Sequence, residues 1–253
     1  MNCKIRGLCC LPPPPPASSA AWFLDVDGTL LELAPTPDEV VVGEVLRGLL
    51  RRLNAAADGA LAIVSGRSIE SLDRLFRPLC LPAAGQHGAE LRGLSGTGNR
   101  NPPPGAAFLA ARQAILAWSV RRPGLLLEDK GQSLAVHYRM APAWRQSLLD
   151  MMESVVAASG GELLLQTGKM VFEVLPAGRH KGEAIGVFMS EPPFAGRLPV
   201  FLGDDITDES GFAEVNRLGG LAVKVGPGPT CAPWRLPDVP TVLEWLALAA
   251  AGG

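Results

Sequence analysis

From about residue 22 onward, short unbroken apolar runs alternate with longer segments whose apolar positions return every three or four residues. Trp22-Phe23-Leu24 and Leu61-Ala62-Ile63-Val64 are runs of the first kind, each closed by polar residues and glycine, as strands buried on both faces are. Between them Val45, Leu46, Leu49, Leu50 and Leu53 keep helical spacing. Ser68 stands where a cap would open a helix carrying Ile69, Leu72, Leu75 and Phe76. Strand, helix, strand, helix predicts a parallel sheet with helices on both faces.

The pattern changes between about residues 98 and 178. Residues 98–105 are rich in Gly, Pro and Asn, as a linker is. A helical stretch over 108–118 precedes two alternating runs, 125–130 and 133–139, joined by Gly131-Gln132 in the manner of a hairpin. A helix over 144–156 and a second strand pair follow, 162–166 and 170–175 around Thr167-Gly168. Alternation of the first kind then resumes: a helix over 181–189, a strand over 199–202, a helix over 209–218, a strand over 221–225 and a helix over 242–249. The predicted fold is therefore α/β: a Rossmann-like parallel-sheet core over 21–98 and 179–253, interrupted by an α+β cap over 99–178. Residues 1–20, with prolines at 12–16, read as a flexible arm with a polyproline spacer rather than a segment for a polyproline-reading partner.

Composition narrows the partners. The net charge of −2 leaves no electrostatic footprint for nucleic acid, and no basic block suggests an anionic membrane. Although 47% of residues are hydrophobic, no stretch approaches the roughly 20 residues of a membrane span. The five cysteines, at 3, 9, 10, 80 and 231, show no paired zinc spacing. A reduced cytoplasmic protein, acting as a monomer on a small molecule, is the expectation.

The chemistry lies at the strand ends. Ligands of open α/β sheets bind beyond the carboxyl ends of the strands. The first strand runs into Asp25-Val26-Asp27-Gly28-Thr29, and the strand over 199–202 runs into Gly203-Asp204-Asp205-Ile206-Thr207-Asp208-Glu209. Extended geometry would put Asp25 and Asp27 on one side. Acidic residues here could simply cap helices, with Asp208 or Thr207 at an N-terminus. Stacking both ends, however, brings five carboxylates together, which repel unless a cation sits among them. Mg²⁺, which takes hard oxygen ligands, suits that arrangement.

In order along the chain, Asp25-Val26-Asp27-Gly28-Thr29, Ser65, Lys181 and Gly203-Asp204-Asp205 with Asp208 resemble the four signatures of the haloacid dehalogenase superfamily of phosphatases. The resemblance implies that Asp25 is a nucleophile forming an aspartyl-phosphate and Asp27 the acid/base. It further implies that Asp25, the main-chain oxygen of Asp27 and Asp204 hold Mg²⁺, with Asp205 and Asp208 as outer or additional ligands. Ser65 and Lys181 would hold the phosphoryl oxygens.

Alternation in the cap leaves Ser133, Ala135, His137 and Arg139 on one strand face, with Leu134, Val136 and Tyr138 on the other. Glu128 with Lys130, and Lys169 with Glu173, likewise share faces. Such a face suits either solvent or a polyhydroxylated ligand. The strings 85–90, 128–133, 137–139 and 168–173, with Lys181-Gly182 and Val225-Gly226, resemble the trehalose-6-phosphate phosphatase family over roughly residues 22–245. That resemblance implies hydrolysis of trehalose 6-phosphate in trehalose biosynthesis, in functional coupling to a trehalose-phosphate synthase. Glu128, Lys130, Lys169 and Glu173 would take the glucose hydroxyls, and Arg67 and His87 would border the phosphate, under a lid that closes over it. A phosphatase for sucrose 6-phosphate or mannosyl-3-phosphoglycerate is the alternative. A non-catalytic sensor would not need both Asp25 and Asp27. The arm lies outside the match, and the Pro-rich segment 101–105 departs from it by shortening the start of the lid.

Overall fold

The computed structural model describes residues 13–33, 41–93, 103–168, 170–178 and 180–252. The expected arm up to residue 12, much of the 98–105 linker and Lys169 lie outside them. Two compact units emerge, one from Met1–Arg100 with His180–Gly253, the other from Asn101–Arg179. In chain order, the first opens with β1 (Ala20–Leu24), α1 (Glu44–Ala56), β2 (Leu61–Val64), α2 (Ile69–Phe76), β3 (Ala83–Gly85) and β4 (Glu90–Arg92). The second comprises α3 (Ala106–Ser119), β5 (Leu126–Asp129), β6 (Leu134–His137), α4 (Arg145–Ala158), β7 (Leu163–Gly168) and β8 (Val171–Pro176). The first then resumes with α5 (Lys181–Met189), β9 (Leu198–Gly203), α6 (Glu209–Arg217), β10 (Leu221–Val225), β11 (Trp234–Leu236) and α7 (Val239–Ala251).

The first unit is a seven-stranded sheet in the order β11-β10-β9-β1-β2-β3-β4. Every pairing is parallel except β3 with β4. All five residues of β1 are buried because both sheet faces are covered. Trp22 meets Trp245 of α7 edge-on at 5.7 Å, while Phe23, on the other face, packs on Phe188 of α5 and Phe194. Since β1 lies between β9 and β2, the strand order reverses beside it. Its carboxyl end is the switch point where such sheets bind ligands.

The second unit is a four-stranded antiparallel sheet, β5-β6-β8-β7, whose Leu134, Val136, Tyr138, Phe172 and Val174 pack with Phe108 and Ile115 of α3 and Leu148 and Met152 of α4. Among the described residues no helix is long and apolar enough to cross a membrane.

Several sequence expectations shift. Strands β3, β4 and β11 have three residues each, too short for any period to register. Thr167 and Gly168 belong to β7 and pair with Phe172 and Val171, so the turn falls after them, where Met170 takes a positive φ of 65°. Val45, assigned to the apolar stripe, is 85% exposed. The end of the expected flexible arm is built in: Ala17–Ser19 forms a 3₁₀ turn, Ala17 is buried, and its carbonyl accepts the Trp22 indole N–H at 3.4 Å.

Candidate active site

The carboxyl end of β1 and its neighbours set out the site. The Asp25 N–H still donates to the Leu202 carbonyl of β9, so Asp25 leaves the sheet at a fixed angle. Beyond it extended geometry ends. The Thr29, Leu30 and Leu31 N–H groups all turn back to the Val26 carbonyl, with Gly28 at φ 83°. Asp27 therefore does not share Asp25's surroundings, as extended backbone would have required. A side chain at Gly28 would also strike Asp204, whose Oδ2 lies 2.1 Å from where a Cβ would stand. Glycine here lets the β1 loop and the β9 loop meet.

Lys181, the first residue of α5, is the hub. Its Nζ donates to Asp25 Oδ1 at 2.7 Å and to Asp208 Oδ1 at 2.6 Å, with all three groups buried. It gets there because Gly182 lets α5 lie against α6: a Cβ at that position would stand 2.3 Å from the Ser210 carbonyl. Asp208 uses its other oxygen to accept the Asp204 and Asp205 N–H groups, each at 2.9 Å. One carboxylate thus folds its own loop and anchors the lysine.

One oxygen from each of Asp25, Asp204 and Asp208 lies within 4.8 Å of the others. Three hard anionic donors so close can hold a metal ion. Their electrostatics ask for one. Burial, opposed by Lys181 but reinforced by Asp208 and Asp204, holds the Asp25 carboxyl well above its ordinary range. Burial, with Asp208 and Asp205 adding repulsion, pushes Asp204 up to about 7. Burial also works against the Lys181 charge, yet Asp208 and Asp25 outweigh it and hold this ammonium above its usual value. Negative charge is in surplus.

The remaining expected residues divide. Ser65 is buried at the end of β2, where its Oγ accepts the Arg67 N–H at 3.2 Å. Arg67, expected to border the phosphate, pairs with Asp27: its guanidinium donates through Nε to Oδ2 at 2.7 Å and Nη2 to Oδ1 at 2.6 Å. His87, at φ 58°, packs over Gly66, where a Cβ would stand 2.7 Å from Nε2. Asp205 departs from the expected cluster. It is exposed and forms a capping box with Asp208 at the turn Ile206–Asp208, which is the capping role that acidic residues also fit. Of the five expected carboxylates three converge, because Asp27 is taken by Arg67 and Asp205 by the cap.

Two buried residues carried no sequence signal of their own. Glu90 accepts the Ile69 N–H at 2.7 Å and the Gln86 amide at 2.5 Å, tying the start of α2 to the left-handed turn at Gln86 and His87. Lys224 lies within an apolar strand and donates to the Asp204 carbonyl at 2.5 Å. Burial pulls its ammonium below the ordinary lysine range, with Asp204 the largest opposing attraction.

In the second unit, the sheet face opposite the helices is polar. Glu173 accepts from Ser133 Oγ at 2.5 Å and from Lys130 at 3.1 Å, and His137 Nε2 lies 3.1 Å from Glu128. Lys130 and Ser133 thus meet on Glu173, while Glu128 pairs separately with His137.

Comparison with known proteins places these features. The family model described as trehalose-phosphatase matches residues 23–240. The trehalose-6-phosphate phosphatase of Escherichia coli K12 is 48% identical over 228 residues, which is 90% of this chain and 85% of that protein. A bifunctional trehalose-6-phosphate synthase/phosphatase of Thermoproteus tenax is 35% identical over 224 residues, 85% of this chain and 30% of its own length. A crystal structure titled as a trehalose-6-phosphate phosphatase related protein superposes with a TM-score of 0.75 at 28% identity, over 92% of this chain and 97% of that one.

Proposed function

This chain belongs to the trehalose-phosphatase family, and from that premise we propose that it hydrolyses trehalose 6-phosphate to trehalose and phosphate through an aspartyl-phosphate on Asp25. It is a phosphomonoester hydrolase. The observation that carries the mechanism is the buried junction of Asp25, Lys181 and Asp208 beside Asp204. Mg²⁺, held by Asp25, Asp204 and the main-chain oxygen of Asp27 with Asp208 behind them, would supply charge neutralisation for the phosphate.

The free Asp25 oxygen attacks phosphorus while the bond from phosphorus to the sugar oxygen breaks. Asp27 gives its proton to that oxygen, then takes one from the water that attacks phosphorus and frees Asp25. Both Asp27 oxygens are held by Arg67, so Arg67 releases one before Asp27 can carry the proton. The Ser65 hydroxyl and Lys181 hold phosphoryl oxygens. A synthase supplying trehalose 6-phosphate is the partner reaction in trehalose formation, in keeping with the fused Thermoproteus relative.

For the substrate, we place the disaccharide hydroxyls on the polar sheet face, with Glu173, Glu128 and Lys130 as partners and Lys169 assigned by resemblance, while resemblance assigns Arg67 and His87 to the phosphate. Phosphate release from a panel of sugar phosphates tests this. Comparable turnover of trehalose, sucrose and glucose 6-phosphates would overturn it. Glu173→Ala should lower kcat/KM on trehalose 6-phosphate by roughly 10- to 100-fold, the worth of a hydrogen bond to a charged group, and barely alter turnover of an aryl phosphate. Equal losses on both substrates would remove Glu173 from sugar recognition.

Metal binding should depend on pH in a definite direction. A carboxyl raised to about 7 in the fold keeps a proton that the unfolded chain has already lost. Cation-free stability therefore falls as pH rises from the ordinary carboxylate range through about 7. Cation binding expels that proton. Stabilisation by Mg²⁺ should grow as pH rises to about 7 and then level off. Thermal midpoints with EDTA and with Mg²⁺ across that range check it. A Mg²⁺ increment independent of pH would contradict the assignment.

A further inference from the structure

Lys224 has no part in the mechanism above, yet it is one of the most deeply placed charges of the first unit, at 4% exposure. Strand register sets it opposite Gly203, at the point where β9 ends and the acidic loop begins. Its Nζ donates to two main-chain carbonyls, Asp204 at 2.5 Å and its neighbour Val225 at 2.6 Å. Burying an ammonium against uncharged oxygens is costly. Negative charge from Asp204, Asp208 and Glu209 offsets that cost, against repulsion from Arg235. Glu209 is itself held in place by the Cys231 N–H at 2.8 Å.

The main chain of Asp204 is consequently held at both ends. Its N–H donates to Asp208 Oδ2 at 2.9 Å, and its carbonyl accepts from Lys224. On its third side, the carboxylate lies against the backbone of Gly28. With those constraints, the Asp204 carboxylate has little freedom except to face Asp25 and Asp208. We propose that Lys224 is a positioning residue for the metal-holding loop, pinning the Asp204 carbonyl so that the carboxylate is ready before a cation arrives. The inference rests on the reading that Asp25 and Asp204, with Asp208 behind them, hold a divalent cation. It separates two roles a lysine could play there. A lysine acting only as a nearby positive charge would repel the cation, so its removal would tighten binding. A lysine that positions the loop makes its removal weaken binding.

The test is Mn²⁺ titration of the full-length protein, followed by the electron paramagnetic resonance signal of free Mn²⁺, for wild type, Lys224→Met and Lys224→Arg. Lys224→Met should raise the Mn²⁺ dissociation constant by roughly 10- to 100-fold, as loss of an outer contact to a metal ligand does. Its KM for substrate at saturating Mg²⁺ should stay near that of wild type. Lys224→Arg, which keeps charge and donors, should restore most of the affinity. Unchanged or tighter Mn²⁺ binding by a folded Lys224→Met protein would overturn the proposal. If circular dichroism shows that variant unfolded, Lys224→Gln, which keeps a donor without the charge, takes its place. It should bind Mn²⁺ more weakly than wild type but less weakly than the loss just given, and equal or tighter binding would overturn the proposal. Absence of saturable Mn²⁺ binding by wild type is a separate result, which would remove the metal site and the inference with it.

Discussion

Asp25→Asn should leave a folded protein that releases phosphate at least about 10⁴-fold more slowly, because an amide cannot attack phosphorus and no neighbour replaces it. The side chain is nearly isosteric, so packing is kept. The fold should not suffer, for Asp25 is a liability to it: burial holds its carboxyl well above the ordinary range, with only Lys181 in opposition and Asp208 and Asp204 adding repulsion. Replacing it removes one of three crowded carboxylates and leaves Lys181 bonded to Asp208. Without a cation, at neutral pH, the thermal midpoint should equal or exceed that of wild type. Phosphate-release kinetics and thermal denaturation in EDTA check both halves. Turnover near wild type would sink the covalent mechanism, and a large fall in the midpoint would mean that Asp25 serves the fold.

Lys181→Met should do the opposite to stability. The lysine side chain is 3% exposed and bridges two carboxylates that are themselves 7% and 0% exposed. Breaking such a buried ion pair from one side costs about 3–5 kcal/mol, because the abandoned charges stay buried. The loss has a pH signature. Asp25 and Asp208 can escape it only by taking up protons, so the deficit relative to wild type should be largest at neutral pH and shrink toward acid. Mg²⁺ should recover part of it, and activity should stay low because the phosphoryl oxygens lose their cation. Urea denaturation at several pH values measures this. A deficit that does not vary with pH would indicate lost packing instead of lost pairing.

The contrast between these two residues shows what the chain makes legible. Buried strands such as Trp22-Phe23-Leu24 and Leu61-Ala62-Ile63-Val64 announce themselves because both faces need apolar side chains. The polar residues that end them therefore mark the site. Asp25, Asp204 and Asp208 follow from their places at strand ends, Ser65 and Lys181 only from the family resemblance, and the fold puts Asp25, Lys181, Asp204 and Asp208 in contact or close to it. Partner choice was not accessible. Asp27 and Asp205 carry the same side chain as their neighbours, yet the turn after Val26 hands Asp27 to Arg67, and local capping takes Asp205. Those outcomes depend on one positive φ at Gly28 and one 3₁₀ turn, which a periodicity argument does not register. Lys224 was hidden for a related reason: a lone lysine in an apolar strand looks like an outward-facing residue until the register sets it opposite Gly203.

The second unit shows the same division. Alternation correctly separated Leu134, Val136 and Tyr138 from Ser133 and His137, since an antiparallel sheet with helices on one face imposes period two. Convergence of Glu173 with Lys130 and Ser133 needed the pairing of β6 with β8, a contact between residues some forty positions apart.

The most direct test of the account is to look for the phosphoryl group on the protein. With Asp27→Asn slowing hydrolysis of the intermediate, the variant is mixed with Mg²⁺ and p-nitrophenyl phosphate, whose leaving group needs no proton from Asp27, quenched in acid, and its peptides are analysed by mass spectrometry. The account predicts one added phosphoryl mass, confined to the peptide containing Asp25 and removed by hydroxylamine. Phosphate release with no such adduct, or an adduct on another peptide, would contradict it.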